Sequence, residues 1–408
     1  MKILITNYGN RFNKGTAAIL HAQINSLKEK FPSANFWIFT YYPDIKNHIN
    51  RDYIEFFEII GRFSRKNYIK NIKTLFYLFW CIFWRFMNYL GIEIWLPLNL
   101  KKYYLADLII DTGGDGLTED YGTPLNIVTN LLFGIFLKKK VVIYAESIGL
   151  FKKWYNRFMV RYLLNRVVLI TVRDEISIKN INKLGVKKPV FLTADPAFLL
   201  NPITEEKVKT ILSNEKTTCP FVGFSVSKLF SRYKFKNFTE DNYKKYILST
   251  IEIINYINNN LNMNVVFIPH VIDQGNDDRV VAEEILKLVE NKEMVFSIKN
   301  EYSPEELKGI IGKSEIFIGA RMHSCIASTS MGVPTIAIAY SHKTYGIIGK
   351  MLGYDNLILD ISNVNLDSFK KALNFVCENK EKIKKDLKIK ISEVKNKSLK
   401  TNELIKKI

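Results

Sequence analysis

In GARMHS, Arg321 and His323 stand two residues apart, where an apolar run from Glu315 to Ile318 gives way to a helix. An arginine there can grip a carboxylate or phosphate through parallel N–H bonds, and a histidine near neutral pH can give or take a proton. Other polar groups fall at equivalent places after apolar runs: Arg173 in TVRDEIS, His270 in FIPHV, Lys343 in AYSHK, Ser147 in AESIG and Ser225 in FVGFSVS. Asn10 and the paired Gly113 and Gly114 occupy loops of the same kind. Three cations and two histidines with few carboxylates suit an anionic substrate that carries phosphate or carboxylate. Each group also has a plainer reading. A lone His270 after a strand is often structural, Arg173 can serve a salt bridge, and glycines can serve turn geometry alone. Metal chemistry finds no chelating spacing of His, Cys or carboxylates. TGGDGLTED lacks the GKS or GKT of a phosphate-binding loop, and NYGNRFNKG is not GxGxxG, so nucleotide hydrolysis and dinucleotide binding are disfavoured.

Positioning these groups requires strands that end in loops. Apolar runs alternate with helical stretches throughout: Lys2 to Thr6, Asn35 to Thr40, Asp107 to Asp111, Lys140 to Glu146, Val167 to Val172 and Val190 to Thr193. After a charged segment between Asn201 and Pro220 a second series begins, with Phe221 to Val226, Asn264 to Pro269, Met294 to Ile298, Glu315 to Ile318 and Thr335 to Ala339. The alternation predicts parallel sheets built of βαβ units, hence an α/β fold of two Rossmann-like domains facing a cleft. The expected divisions are 1–205, 218–365 and a basic helical tail, 366–408, that can return to the first domain. Ser303 and Glu306 predict a capping box on the helix before Glu315. Small residues Ala327, Ser328, Ser330 and Gly332 leave one helix face bare enough for another backbone or a ligand to approach.

At 408 residues, with 47% hydrophobic and 24% charged residues, the chain is globular and long enough for two cores. Its formal charge of +19 admits nucleic acid, an anionic membrane surface or an anionic substrate, or reflects lysine-rich solvated helix faces. Four scattered cysteines fit free thiols in a reducing compartment, and MKILITNYG enters a strand without a signal-peptide pattern, so a cytoplasmic protein is expected. The segment from Leu75 to Leu98 is dense in aromatics but interrupted by Arg85, Asn88 and Glu93. It is too short in uninterrupted apolar length to span a bilayer, which leaves core packing, the preferred expectation, or contact with an anionic membrane at the inner face.

NYGNRFNKGTAAI, GGDGLTED, SIGLF, TVRDEIS, TADPAFLL and above all GARMHSCIASTSMGVPTIAIAYSHK resemble the polysaccharide pyruvyl transferases, in that family's order. The resemblance implies a fold similar to the GT-B glycosyltransferases. It also implies transfer of an enolpyruvyl-derived group from phosphoenolpyruvate to a sugar hydroxyl, commonly closing a ketal, with no metal or nucleotide cofactor. On this reading Arg321 and His323 match the family's Arg-x-His element, Arg173 its upstream arginine and Lys343 a basic position after the following strand. Asp115 and the aromatic insertion near 66–100 depart from the pattern. The expected partners are phosphoenolpyruvate and a sugar or lipid-linked saccharide acceptor, with no nucleic acid, and Arg173, Arg321, His323 and Lys343 are expected to face one cavity. The alternatives are a GT-B glycosyltransferase using a sugar nucleotide and a non-catalytic polyanion- or membrane-binding protein. The last ranks lowest because the cations sit at strand ends.

Overall fold

The computed structural model describes residues 1–42, 51–64, 67–228, 239–339 and 344–408. Its contacts divide the chain into two compact units. The first comprises Met1–Arg11, Ile19–Pro196 and Lys397–Ile408, and the second Phe12–Ala18 and Ala197–Asn396.

In chain order the first part runs β1 (Lys2–Tyr8), α1 (Lys14–Lys30), β2 (Asn35–Thr40), β3 (Ile54–Glu58), α2 (Tyr68–Tyr89), α3 (Leu98–Leu105), β4 (Leu108–Asp111), α4 (Leu125–Phe136), β5 (Lys140–Glu146), α5 (Trp154–Leu164), β6 (Leu169–Val172), α6 (Glu175–Leu184) and β7 (Val190–Leu192). The strands make a parallel seven-stranded sheet in the order β3-β2-β1-β4-β5-β6-β7. That order reverses between β1 and β4, the switch point at which open α/β sheets present their loops to ligands. The strands read as continuous apolar runs because both faces are covered. Ile109, Val141, Ile143 and Ile170 enter one core with α4 and α5, while Ile110, Val142 and Tyr144 enter the other with α1 and Ile405.

The aromatic insertion differs from the expected core helix. Within α2 only Thr74 and Cys81 are buried. Tyr77, Leu78, Trp80 and Trp84 lie partly buried against the core, and the opposite face carries large apolar side chains in solvent. One edge of the helix suffices to cover that side of the sheet, since α4 and α5 already occupy the rest.

The second part runs α7 (Glu205–Asn214), β8 (Phe221–Ser225), α8 (Glu240–Leu261), β9 (Asn264–Phe267), β10 (Ile272–Asp273), β11 (Asn276–Asp277), α9 (Asp278–Leu286), β12 (Val295–Ser297), α10 (Pro304–Ile311), β13 (Ile316–Gly319), α11 (Met322–Ser330), β14 (Thr335–Ala339), β15 (Ile358–Asp360) and α12 (Leu366–Lys406). Six strands form a parallel sheet in the order β12-β9-β8-β13-β14-β15, which repeats the first sheet's logic with its reversal between β8 and β13. A small antiparallel pair, β10 and β11, turns through Gly275 at φ 76°. Strands β3, β10, β11 and β15 carry no signal that sequence reading picked out, being short or only partly buried. The capping box forms as the spacing predicts: Glu306 N donates to Ser303 Oγ at 3.2 Å and Ser303 N to Glu306 Oε2 at 2.7 Å.

The division between units falls at Pro196/Ala197, ahead of the charged segment where sequence reading places it. The cause is α7, whose Val208, Ile211 and Leu212 bury in the second core with Ile310, Ile311 and Phe317. The last residues of α12 belong to the first unit, where Tyr144 donates its hydroxyl to Asn402 Oδ1 at 2.6 Å and Ser398 donates to the Asp195 carbonyl at 3.0 Å.

Candidate active site

In the second unit the ends of β8, β9 and β13 and the N-terminus of α9 bring together Ser225, His270, Asp278 and Arg321. Asp278 is the hub. Its carboxylate accepts Arg321 Nη2 at 2.5 Å and Nε at 3.3 Å, and the backbone N–H groups of His270 and Val271 at 3.1 and 2.9 Å. Arg321 Nη2 also donates to Asn276 Oδ1 at 3.1 Å, so the β10–β11 turn helps to aim the guanidinium. Burial pushes the Asp278 carboxyl above the usual carboxylate range, and Arg321 and the two N–H donors pull against that shift. The buried arginine is therefore held by a carboxylate that sequence reading did not assign to the site.

His270 is buried, and neither ring nitrogen has a hydrogen-bond partner among the described residues. Burial, followed by the positive fields of His323, Arg321 and Lys14, holds its pKa well below the ordinary histidine value. It is a neutral imidazole at neutral pH. The segment Phe12–Ala18 belongs to this unit: Lys14 N donates to the His270 carbonyl at 3.0 Å and Ile272 N to the Phe12 carbonyl at 2.9 Å. Lys14, almost fully buried, pairs through Nζ with Glu301 Oε1 at 3.0 Å. The half-buried His323 imidazole lies over Gly15, where a Cβ would come within 2.5 Å of its Nδ1. The glycine is thus the floor on which His323 rests. Ser225 is buried with no hydroxyl partner among the described residues, and its carbonyl accepts Ala320 N at 2.8 Å.

Sequence reading missed Lys14 and Asp278. The available signal for Lys14 was its place in NKG, at the start of α1, which is where an anion-binding turn would carry a cation. The small face of α11 meets the protein itself: Ala327 enters the core, and Ser328 Oγ and Thr335 Oγ1 share a hydrogen bond of 2.7 Å. Lys343 lies outside the described residues.

In the first unit the strand ends hold a different cluster. Arg173 is fully buried, donates Nε to Ser147 Oγ at 2.8 Å and forms an ion pair with Asp195. Ser147 donates its hydroxyl to Asp174 Oδ2 at 2.6 Å, and Asp174 caps α6 by accepting Ser177 N at 2.8 Å. Gly113 and Gly114 adopt φ of 82° and 119°, and a Cβ on Gly113 would lie 2.3 Å from the Tyr144 carbonyl. The close approach that needs glycine there is to a neighbouring strand. Asp111 is pushed up to about 6 by burial, against hydrogen bonds from Asn7 and Thr112. Glu146 is raised well above the usual range by burial and by Asp111. Asn10 is buried two residues beyond the end of β1. The expectation of few carboxylates thus fails: each arginine has its own buried aspartate, because a guanidinium taken out of water requires a counter-charge. Among the described residues no group of three or more His, Cys, Asp or Glu is arranged to hold a metal.

Residues 13–342 match the profile of the polysaccharide pyruvyl transferases. The chain belongs to the polysaccharide pyruvyl transferase family. The match begins at Asn13, and so takes in the Lys14–Gly15 turn that folds with the second unit. The chain is 25% identical to the amylovoran biosynthesis protein AmsJ of Erwinia amylovora, over 95% of its own length and 94% of that protein. Its fold resembles a glycosyltransferase from Rickettsia africae, with a TM-score of 0.61 at 11% identity over 99% of this chain and 97% of that one. It also resembles the UDP-GlcNAc 2-epimerase of Methanocaldococcus jannaschii, with a TM-score of 0.57 at 14% identity over 92% of each chain. The likeness to these proteins establishes the two-domain α/β fold of the GT-B type, and fold alone does not carry chemistry.

Proposed function

We propose that this chain moves a pyruvyl group from phosphoenolpyruvate to sugar hydroxyls in polysaccharide biosynthesis. The observation that carries the reading is the Arg321–His323 pair inside the family match, with Arg321 aimed by Asp278 and His323 seated on Gly15. Arg321 supplies positive charge for the phosphate or carboxylate of phosphoenolpyruvate. His323 protonates the methylene carbon, C3, and cationic character develops at C2. A sugar hydroxyl oxygen bonds to C2 and gives up its proton, the C2–O bond to phosphate breaks, and a second hydroxyl closes the ketal. One hydroxyl proton balances the new methyl group and the other leaves with hydrogen phosphate. His270, kept neutral by burial, adds no competing positive charge beside this centre. Arg173 and Lys343 are assigned to donor binding on the family resemblance.

Incubation of the full chain with phosphoenolpyruvate and a panel of nucleotide-linked and lipid-linked sugars tests the reading. Release of inorganic phosphate together with a pyruvate-sized mass gain on one acceptor supports it. Consumption of a sugar nucleotide with glycosyl transfer and no pyruvate-sized gain overturns it in favour of a glycosyltransferase.

A further inference from the structure

The outward face of α2 is neither core nor polar surface. Ile69, Ile72, Phe76, Phe79, Phe86 and Tyr89 recur at three-, four- and seven-residue intervals, so they form one stripe along the helix. Ile69 is 78% exposed, Phe79 63% and Tyr89 84%. At 22 residues the helix runs about 33 Å, and the stripe runs its whole length. A soluble surface seldom carries so long a contiguous apolar patch without an occupant. Helix α4 carries α2 and α5 in the same layer over the sheet, and α5 exposes Trp154 and Phe158, one turn apart.

Charge decides what the occupant is. From Tyr68 to Leu105 the chain has five basic residues, Lys70, Lys73, Arg85, Lys101 and Lys102, and one acidic residue, Glu93. Helix α5 adds Arg157 and Arg161 and no acid, and Lys152 and Lys153 precede it. A second copy of this chain would bring two such cationic surfaces together around a twofold axis, which like-charge repulsion opposes. An anionic lipid surface accepts all of these features at once. Aromatic and aliphatic side chains enter the boundary between headgroups and acyl chains, and lysine and arginine stems reach the phosphates beside them. Crossing the bilayer is not the mode, since no helix among the described residues is long and apolar enough to span it.

We propose that α2, with the exposed N-terminal turns of α5, is a monotopic docking surface for an anionic phospholipid bilayer, lying in the plane of the interface. The proposal stands apart from the transfer chemistry and survives its failure.

Co-sedimentation of the full chain with vesicles of phosphatidylcholine, alone or mixed with phosphatidylglycerol, tests it. The expected result is strong partitioning to the mixed vesicles, weakened by about 1 M salt because screening shortens the reach of the lysines. The double variant Phe79→Ser/Phe86→Ser loses roughly tenfold or more of that partitioning. Lys70→Glu/Lys73→Glu lowers binding to the anionic vesicles only. All four side chains are exposed, so the circular dichroism spectrum and unfolding temperature stay those of the parent, which separates lost docking from lost folding. Parent protein that remains in the supernatant with mixed vesicles overturns the proposal. So does a double variant that sediments like the parent. A concentration-dependent dimer abolished by the phenylalanine substitutions, with no vesicle binding, assigns the face to self-association and equally overturns it.

Discussion

Two strand-end clusters, built on sheets with the same order of strands, use a buried arginine in different ways. In the first unit Arg173 has no exposure, its partners Asp195 and Ser147 are buried too, and Ser147 hands on to a helix cap at Asp174. These links run protein to protein over strand ends and a helix start and brace them, yet Arg173 Nη2 is buried with no hydrogen-bond partner among the described residues, so bracing does not use the whole guanidinium. In the second unit Arg321 is held as firmly by Asp278, but next to it stand a half-buried histidine and a neutral one, at the N-terminus of a helix. The second arrangement leaves a half-buried imidazole where a ligand's charge can be addressed. A buried ion pair by itself therefore marks neither a site nor a brace.

The contrast breaks most visibly at Arg173. Replacing it by Ala strands Asp195 in a buried site, so stability should fall by about 3–5 kcal/mol, read as a lower urea midpoint at unchanged slope. A variant as stable as the parent would remove the brace. His323→Ala should act the opposite way, with phosphate release down by roughly 10²-fold and the unfolding midpoint nearly unmoved. Equal turnover in that variant removes His323 as the acid–base group. Gly15→Ala sharpens the same point, because the new methyl must displace the His323 ring; a loss of roughly tenfold in turnover is expected from misplacement alone. The smallest effect is on pH dependence in the first unit. Asp111 has a folded pKa of about 6, above its unfolded value, so the folded state binds the extra proton. Stability is then favoured below about 4 by this group and declines as pH rises through about 6. Asp111→Asn should flatten that decline in denaturant titrations taken across the window, and an unchanged slope would reassign it to Glu146.

Much of the framework was legible because its signals are local. The strands around Ile109, Val141 and Ile338 read as apolar runs, the Ser303 and Glu306 box sits three residues apart, and Arg321 and His323 are neighbours on one turn. The carboxylate partners were not legible. Asp195 is 22 positions from Arg173, and Asp278 is 43 from Arg321. Nothing in composition pairs them, since any of the chain's 40 acidic residues satisfies the same sequence pattern. The membership of Lys14 in the second unit was equally hidden, because the chain leaves β1 of the first sheet only a few residues earlier.

The sequence by itself determined the alternation of strands and helices, the α/β class, the family blocks and the adjacency of Arg321 and His323, because each depends on residues within one or two turns of one another. Only the tertiary structure decided which aspartate neutralises which arginine, that His270 is buried and neutral, that Gly15 floors His323, and that α2 turns an apolar face to solvent. Those outcomes depend on burial and on contacts between distant segments, and burial is a property of the packed chain that no local stretch carries.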